Sequence, residues 1–219
     1  MKKLLALSVA LALAACGGGS DKKSPALTGK LYGQTFDPSE MVFSGPRSSD
    51  SCSFTFSGTT VAFGNSALIL GFGAQSGVCA LATDACAGKK SFPFVWGLVA
   101  TARLGGAAQP LTTGSYTVYA DITQAVPTNP LDPIRAAVFQ GDRTDASCVP
   151  DANPPAATGT IRIDALSASA VSGELDLTFA DGQGGFLRGP FTAVPCAGAE
   201  FDACLPAPPA CTTGTPTCQ

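Results

Sequence analysis

The chain has 219 residues, 13 basic against 16 acidic side chains, no histidine and 45% apolar residues. That length suits one ordinary domain or two small ones, and the apolar fraction is enough to bury a core. The acidic balance makes the chain a poor polyanion binder, so no nucleic-acid partner is expected; without histidine there is no serine–histidine–aspartate triad, no cysteine–histidine dyad and no histidine-ligated metal.

Lys2 and Lys3 precede an apolar run from Leu4 to Leu13. A run of about ten residues fits the hydrophobic region of a signal peptide and is too short to span a bilayer. It ends in Leu13-Ala14-Ala15-Cys16, followed by Gly17-Gly18-Gly19-Ser20. This stretch resembles the lipobox of bacterial lipoproteins. The resemblance implies removal of residues 1–15, diacylglycerol on the Cys16 sulfur and acylation, as by palmitate, of the new amino group. The membrane is then a partner through the lipid, since two or more acyl chains at about 0.8 kcal/mol per buried CH₂ hold stably. The alternative is an ordinary secretory signal ending at Ala14-Ala15, with Cys16 left as a thiol. In these lipoproteins an aspartate after the cysteine favours the inner membrane. Gly17 stands there, so the resemblance implies the outer membrane, facing the periplasm or the cell surface. Loss of Lys2 and Lys3 takes the formal net charge from −3 to −5. Residues 16–25 read as the lipidated cysteine and a flexible tether, whose nine or so residues reach roughly 15–18 Å.

Beyond Pro25 the period is that of strands. The longest run free of glycine and proline, Thr160 to Ser172, itself starts with period-two alternation. Elsewhere glycine or proline recurs every few residues and disfavours helix interiors. Ser53 to Ser57 alternates, and Val61-Ala62-Phe63 follows a turn at Ser57-Gly58-Thr59. Ala67 to Phe72 and Phe92 to Ala102 are continuous apolar runs, as in strands buried on both faces or an unresolved helix. Ser115 to Ala120 places Tyr116, Val118 and Ala120 on one face, and Ile134 to Gln140 is a further short strand candidate. Segments 121–133 and 142–157 read as long surface loops. In Gly159 to Ala193, Ile161, Ile163, Leu175, Leu177 and Phe179 face inward. Arg162, Asp164, Glu174, Asp176 and Thr178 face outward. After the turn at Asp181–Gly185, Leu187, Gly189, Phe191 and Ala193 share a face. This predicts an antiparallel meander. Pro190 has no N–H, so the last strand is expected to be an edge or bulged there.

The expected fold is mainly β with little helix: an antiparallel sandwich or partly open barrel over residues 26–196, stabilised by disulfides, with a Cys/Pro-rich tail over 197–219. Gly159-Thr160-Ile161, Ser172 to Phe179, Leu187 to Ala193 and Cys196 together resemble the C-terminal meander of uncharacterised all-β bacterial lipoproteins. Thr28 to Phe36 resembles their opening strand. These segments cover about a quarter of the chain, and the motif is one of packing and turns, so the resemblance implies a fold and no activity.

With Cys16 lipidated, eight cysteines remain: Cys52, Cys79, Cys86, Cys148, Cys196, Cys204, Cys211 and Cys218. An even set in an exported chain reads as a disulfide framework. Spacing favours a local Cys79–Cys86 pair, a Cys148–Cys196 pair tying the ends of the meander, and pairs within Cys204, Cys211 and Cys218. There is no CxxC and no close cysteine pair of zinc-ligand type.

Candidates for chemistry each have a plainer explanation. Ser91 beside Lys89-Lys90 is a serine–lysine pair or an exposed basic turn. Glu174 and Asp176, with Asp164 across, are a glycosidase-like carboxylate set or the wet face of a half-buried sheet, with Arg162 and Arg188 as ion-pair partners. Asp142, Asp145, Asp151 and Asp181 are weak calcium candidates, or ordinary turn formers. Trp96 with Phe94, Tyr116 and Tyr119 forms a glycan-binding strip if all four share a face, or a core. No cofactor is expected. The function expected is a non-enzymatic, membrane-anchored structural or binding module of the cell envelope, with an envelope protein or glycan as possible partner. An accessory domain for glycan, peptide or calcium is the alternative, ahead of a hydrolase using carboxylates alone.

Overall fold

The computed structural model describes residues 26–56, 59–84, 88–125, 129, 132–151 and 153–204. The signal, lipidation and tether readings on residues 1–25, together with Cys86, Cys211 and Cys218, lie outside them.

The chain is mainly β. Its strands are β1 (Thr28–Leu31), β2 (Gln34–Phe36), β3 (Glu40–Phe56), β4 (Thr59–Gly73), β5 (Pro93–Leu104), β6 (Gly114–Val118), β7 (Ile134–Arg143), β8 (Ala157–Leu166), β9 (Val171–Phe179) and β10 (Phe186–Pro195). One short helix, α1 (Val78–Thr83), and a 3₁₀ turn at Ile122–Ala125 interrupt them. Of the two architectures left open by the pattern, the chain adopts the barrel, and the barrel closes. The order β10-β3-β4-β5-β7-β6-β8-β9 returns to β10 through the β9–β10 hairpin. The β1–β2 hairpin adds to β10 from outside this ring. Most pairings are antiparallel, but β10–β3 and β6–β7 are parallel.

The meander of β8, β9 and β10 forms as its alternation predicts. Ile161, Ile163, Leu175, Leu177, Phe179, Leu187, Phe191 and Ala193 are buried inside, and Arg162, Asp164, Glu174 and Asp176 are exposed. Pro190 falls where β10 has β9 on one side and, on the other, lies between its pairings with β1 (at Phe186–Arg188) and β3 (at Val194–Pro195). That is an edge-like interval, where a missing N–H costs no ladder bond on that side.

The two continuous apolar runs are strands buried on both faces. On β4 and β5, Leu68, Leu70, Phe72, Val95 and Val99 point into the barrel core with Phe36, Phe43, Phe139 and Tyr116. Their outward neighbours pack elsewhere. Phe94 and Trp96 join Val42, Val78, Leu81, Phe92, Cys196 and Ala199 in a second cluster outside the barrel, beneath α1. Gly71 is the seat of this helix: a Cβ there would lie 2.5 Å from Val78 Cγ1 and 2.7 Å from Trp96 Cζ3. Gly97 serves the inner core in the same way, since the Phe139 ring occupies the space its side chain would take.

Several expectations are corrected. Thr28 to Phe36 is a hairpin and not one strand. Tyr32 (φ 51°) and Gly33 (φ 76°) form its tight turn, the left-handed pair that two-residue hairpins require. The pieces at Val61–Phe63 and Ala67–Phe72 are one strand, β4. β3 begins at Glu40, its early half hidden by Gly45-Pro46 and a serine run with no apolar period. Ala120 lies beyond β6 and is exposed.

The cysteine pairing also differs. Cys79 bonds Cys196 and Cys52 bonds Cys204, so the Cys79–Cys86 and Cys148–Cys196 pairs do not form, and Cys204 does not pair within the tail. Spacing misled because topology brings distant segments together: β10 runs beside β3, so Cys196 arrives at the wall on which α1 sits. Cys148 is disulfide-bonded as well. The beginning of the expected tail, residues 197–204, follows the outer side of β3 and β4. The Ser44 hydroxyl donates to Ala199 O at 2.7 Å, and Asn65 Nδ2 donates to Ala203 O at 2.6 Å.

Candidate functional site

The β1–β2 turn, the β7–β8 connection and the β9–β10 turn meet at one rim of the barrel, which gathers Lys30, Tyr32, Asp142, Arg143, Asp151 and Asp181. Tyr32 is its centre. Its backbone N–H donates to Asp181 Oδ2 at 3.1 Å, and its phenol donates to Gly141 O at 3.3 Å. Arg143 lies over its ring, 4.4 Å from the centroid. The residue reaches this place because the left-handed turn reverses the hairpin at the rim while Leu31 points into the core. There the Leu31 side chain occupies the space a Cβ on Gly141 would need.

Burial pushes the Tyr32 phenol up to about 12, and the negative charges of Asp151, Asp142 and Asp181 add to the shift against the opposing pull of Arg143. The phenol is therefore neutral at physiological pH, a hydrogen-bond donor and not a base. Asp142 is also shifted upward. Its burial outweighs the N–H groups of Arg143 and Asp151 that its carboxylate accepts, and Asp151 adds repulsion. Asp181 moves the other way. Burial opposes its ionisation, but the N–H groups of Gln183, Gly185 and Tyr32, with Lys30 nearby, outweigh it.

Three of the four calcium candidates, Asp142, Asp151 and Asp181, thus come to this rim, each holding backbone N–H groups of its own loop. Asp145 instead folds its own turn, accepting from Ser147 and Val149. No group of three or more carboxylate or cysteine side chains among the described residues is placed to hold a metal ion.

The other candidates are dispersed. Glu174 pairs with Arg162 at 2.9 Å and Asp176 with Arg188 at 2.6 Å. Both pairs lie directly across neighbouring strands on the exposed outer face, and Asp164 also reaches Arg162 at 3.2 Å. This is the solvated face of a sheet, with each carboxylate engaged by a guanidinium. Ser91 sits in an exposed turn, its N–H donating to Asp145 O, and the Lys89 ammonium reaches Ser76 Oγ at 3.4 Å. The four aromatics do not share a face. Phe94 and Trp96 lie outside β5 under α1. Tyr116 is buried inside the barrel with Arg135 over its ring at 4.5 Å, and Tyr119 lies beyond β6. Tyr32, Lys30 and Arg143 were not singled out from the sequence, although Tyr32-Gly33 between short alternating segments is a hairpin signal.

No protein-family model, curated protein or solved structure matches this chain.

Proposed function

We propose that this is a lipid-anchored protein of the bacterial cell envelope, held at the outer membrane through Cys16 and acting without catalysis as a structural or binding module. The observation that carries the reading is Leu13-Ala14-Ala15-Cys16 behind two lysines and a short apolar run. Two features of the fold support it. Disulfides between segments 117 and 152 residues apart suit an oxidising compartment. The barrel is filled by its own aromatic and aliphatic side chains, so binding belongs to its rims and outer wall and not to a lumen.

The test is metabolic labelling with a palmitate analogue in the native host, followed by membrane fractionation on a density gradient. The wild-type chain is expected to take up label and sediment with outer membrane. Cys16→Ser is expected to take up none and to leave the membrane fraction. An unlabelled wild-type chain whose mature N-terminus carries no lipid overturns the reading.

A further inference from the structure

A polar row crosses the inner face of the barrel where the alternation calls for apolar side chains. The register places Ser48 opposite Ser66, Ser66 opposite Thr101 and Thr101 opposite Arg135, on β3, β4, β5 and β7. Ser66 stands two residues before Leu68, and Thr101 two after Val99. Leu68 and Val99 fill the core, so both hydroxyls point inward. Ser66 is 1% exposed and Thr101 5%. The β5–β6 connection closes the barrel at the next inward position of β4. A Cβ on Gly64 would lie 2.1 Å from Ala108 N, the Ala108 N–H donates to Asp50 Oδ1 at 2.8 Å, and Leu111 is buried in the core.

The row holds one unmet bond. Ser48 Oγ and Ser66 Oγ bond to each other at 2.7 Å. Arg135 turns toward β6, donating to Thr112 Oγ1 and Thr113 O with its guanidinium over the Tyr116 ring. Thr101 Oγ1, buried between them, has no hydrogen-bond partner among the described residues. Buried hydroxyls in folded proteins are bonded to protein or to ordered water, because an unmade bond there costs the full loss of hydration. Ser66 has capacity to spare. A hydroxyl carries one donor and two acceptor positions, and the bond to Ser48 uses one. Residues directly opposite in antiparallel strands have Cβ atoms about 4.5–5.5 Å apart. One water making two bonds of about 2.8 Å bridges oxygens up to roughly 5.5 Å apart.

We propose that a resident water molecule is bound inside the barrel between Thr101 Oγ1 and Ser66 Oγ, completing a hydrogen-bonded chain from Ser48 through Ser66 and the water to Thr101. Water is the ligand that suits the place: Thr101 Oγ1 is sealed from solvent, and its neighbours Ser66, Leu68 and Val99 carry no charge to balance an ion. The bridge joins side chains of β3, β4 and β5 beyond Phe43, where the pairing of β3 with β10 ends.

The test is a high-resolution crystal structure of the full, disulfide-bonded chain. An ordered water is expected at about 2.6–3.2 Å from both Thr101 Oγ1 and Ser66 Oγ. Thr101 Oγ1 bonded directly to a protein group, or no water in contact with both oxygens, overturns the proposal. An independent measurement in solution uses Thr101→Val, which keeps the side-chain shape and removes the hydroxyl. Loss of a satisfied bond is expected to lower the melting midpoint by roughly 2–4 °C. A midpoint equal to or above wild type is the mark of a hydroxyl with nothing to lose and overturns the proposal.

Discussion

Glu40, at the start of β3, caps a helix that lies far from it in sequence: its Oε2 accepts the N–H groups of Gly77 and Val78 at 2.6 and 2.7 Å. A six-residue helix does not hold together in water by itself. α1 depends on this carboxylate, on the burial of Val78 and Leu81, and on the Cys79–Cys196 bond. Glu40→Ala is expected to cost about 1 kcal/mol, as other N-terminal caps do, and to lower the melting midpoint by roughly 2–4 °C for a chain of this size. Hydrogen exchange should accelerate first at residues 77–83, and exchange that rises evenly over the barrel would count against a local role.

Gly97→Ala is expected to be costly although the change is one methyl group. The new Cβ would stand 1.9 Å from Phe139 Cε1. Overpacking of this kind costs about 1–3 kcal/mol, or a midpoint roughly 2–12 °C lower. Gly97→Ala/Phe139→Leu should recover part of the loss, because the two residues share one space. Thermal melts of the two single variants and the double variant measure this coupling.

Removal of the Cys79–Cys196 bond by Cys79→Ser/Cys196→Ser should cost about 2–5 kcal/mol, the range for bonds that close long loops. Its loop joins residues 117 apart. Denaturant titration under non-reducing conditions reads the loss. Peptide mapping of the unreduced wild type should recover the Cys79–Cys196 and Cys52–Cys204 linked peptides, and a Cys79–Cys86 peptide would refute the topology.

Asp181 and Asp142 should give pH dependences of opposite sign. The Asp181 carboxyl is held below its ordinary range when folded. Its contribution is therefore complete above the unfolded value and is lost as pH falls through the folded one. Asp181→Ala should be destabilised near neutral pH by about 1 kcal/mol, a figure kept small for a solvent-screened group, and should approach wild type in acid. Asp142 is shifted upward, so its ionisation weakens the fold as pH rises from the unfolded value through the folded one. Asp142→Asn should gain on wild type across that window. Urea midpoints measured from acid to neutral pH separate the two slopes.

How much of this was legible beforehand depended on whether the signal was local. The β8–β10 meander was readable because Ile161, Ile163, Leu175 and Leu177 alternate with charged residues that face water. The unbroken apolar runs of β4 and β5 left doubly buried strands and a helix both open, and the strands are what forms. Only the end of β3 was read, within the Ser53 to Ser57 alternation, because Arg47 to Ser51 carries no apolar period, and α1 was missed because a six-residue helix offers too few positions for a helical period to show. Pairings between Cys52 and Cys204, or Cys79 and Cys196, are set by the ring of strands and have no local trace. The rim around Tyr32 was obscure for the same reason. Asp142, Asp151 and Asp181 were noticed one loop at a time, and the hairpin turn that joins them was read as part of a continuous strand.

The Tyr32 phenol should resist ionisation. Spectrophotometric titration of the three tyrosines is expected to show a step at about 12, which Tyr32→Phe removes. Persistence of that step in the variant would assign it to another tyrosine.

The parallel contact of Val42 and Phe43 with Val194 and Pro195 closes the ring, and it joins the first long strand to the last. A ribosome delivers this chain from its N-terminus, so β3 waits, with one side unmatched, until about 150 further residues have emerged. Contacts of such sequence separation form slowly. Until β10 arrives, the chain is an open sheet whose phenylalanines face solvent and whose edge is available to other strands. Between emergence and closure the unpaired edge is where the chain is most open to aggregation, and a nonsense mutation anywhere before Phe186 would leave the ring without β10 and make that interval permanent.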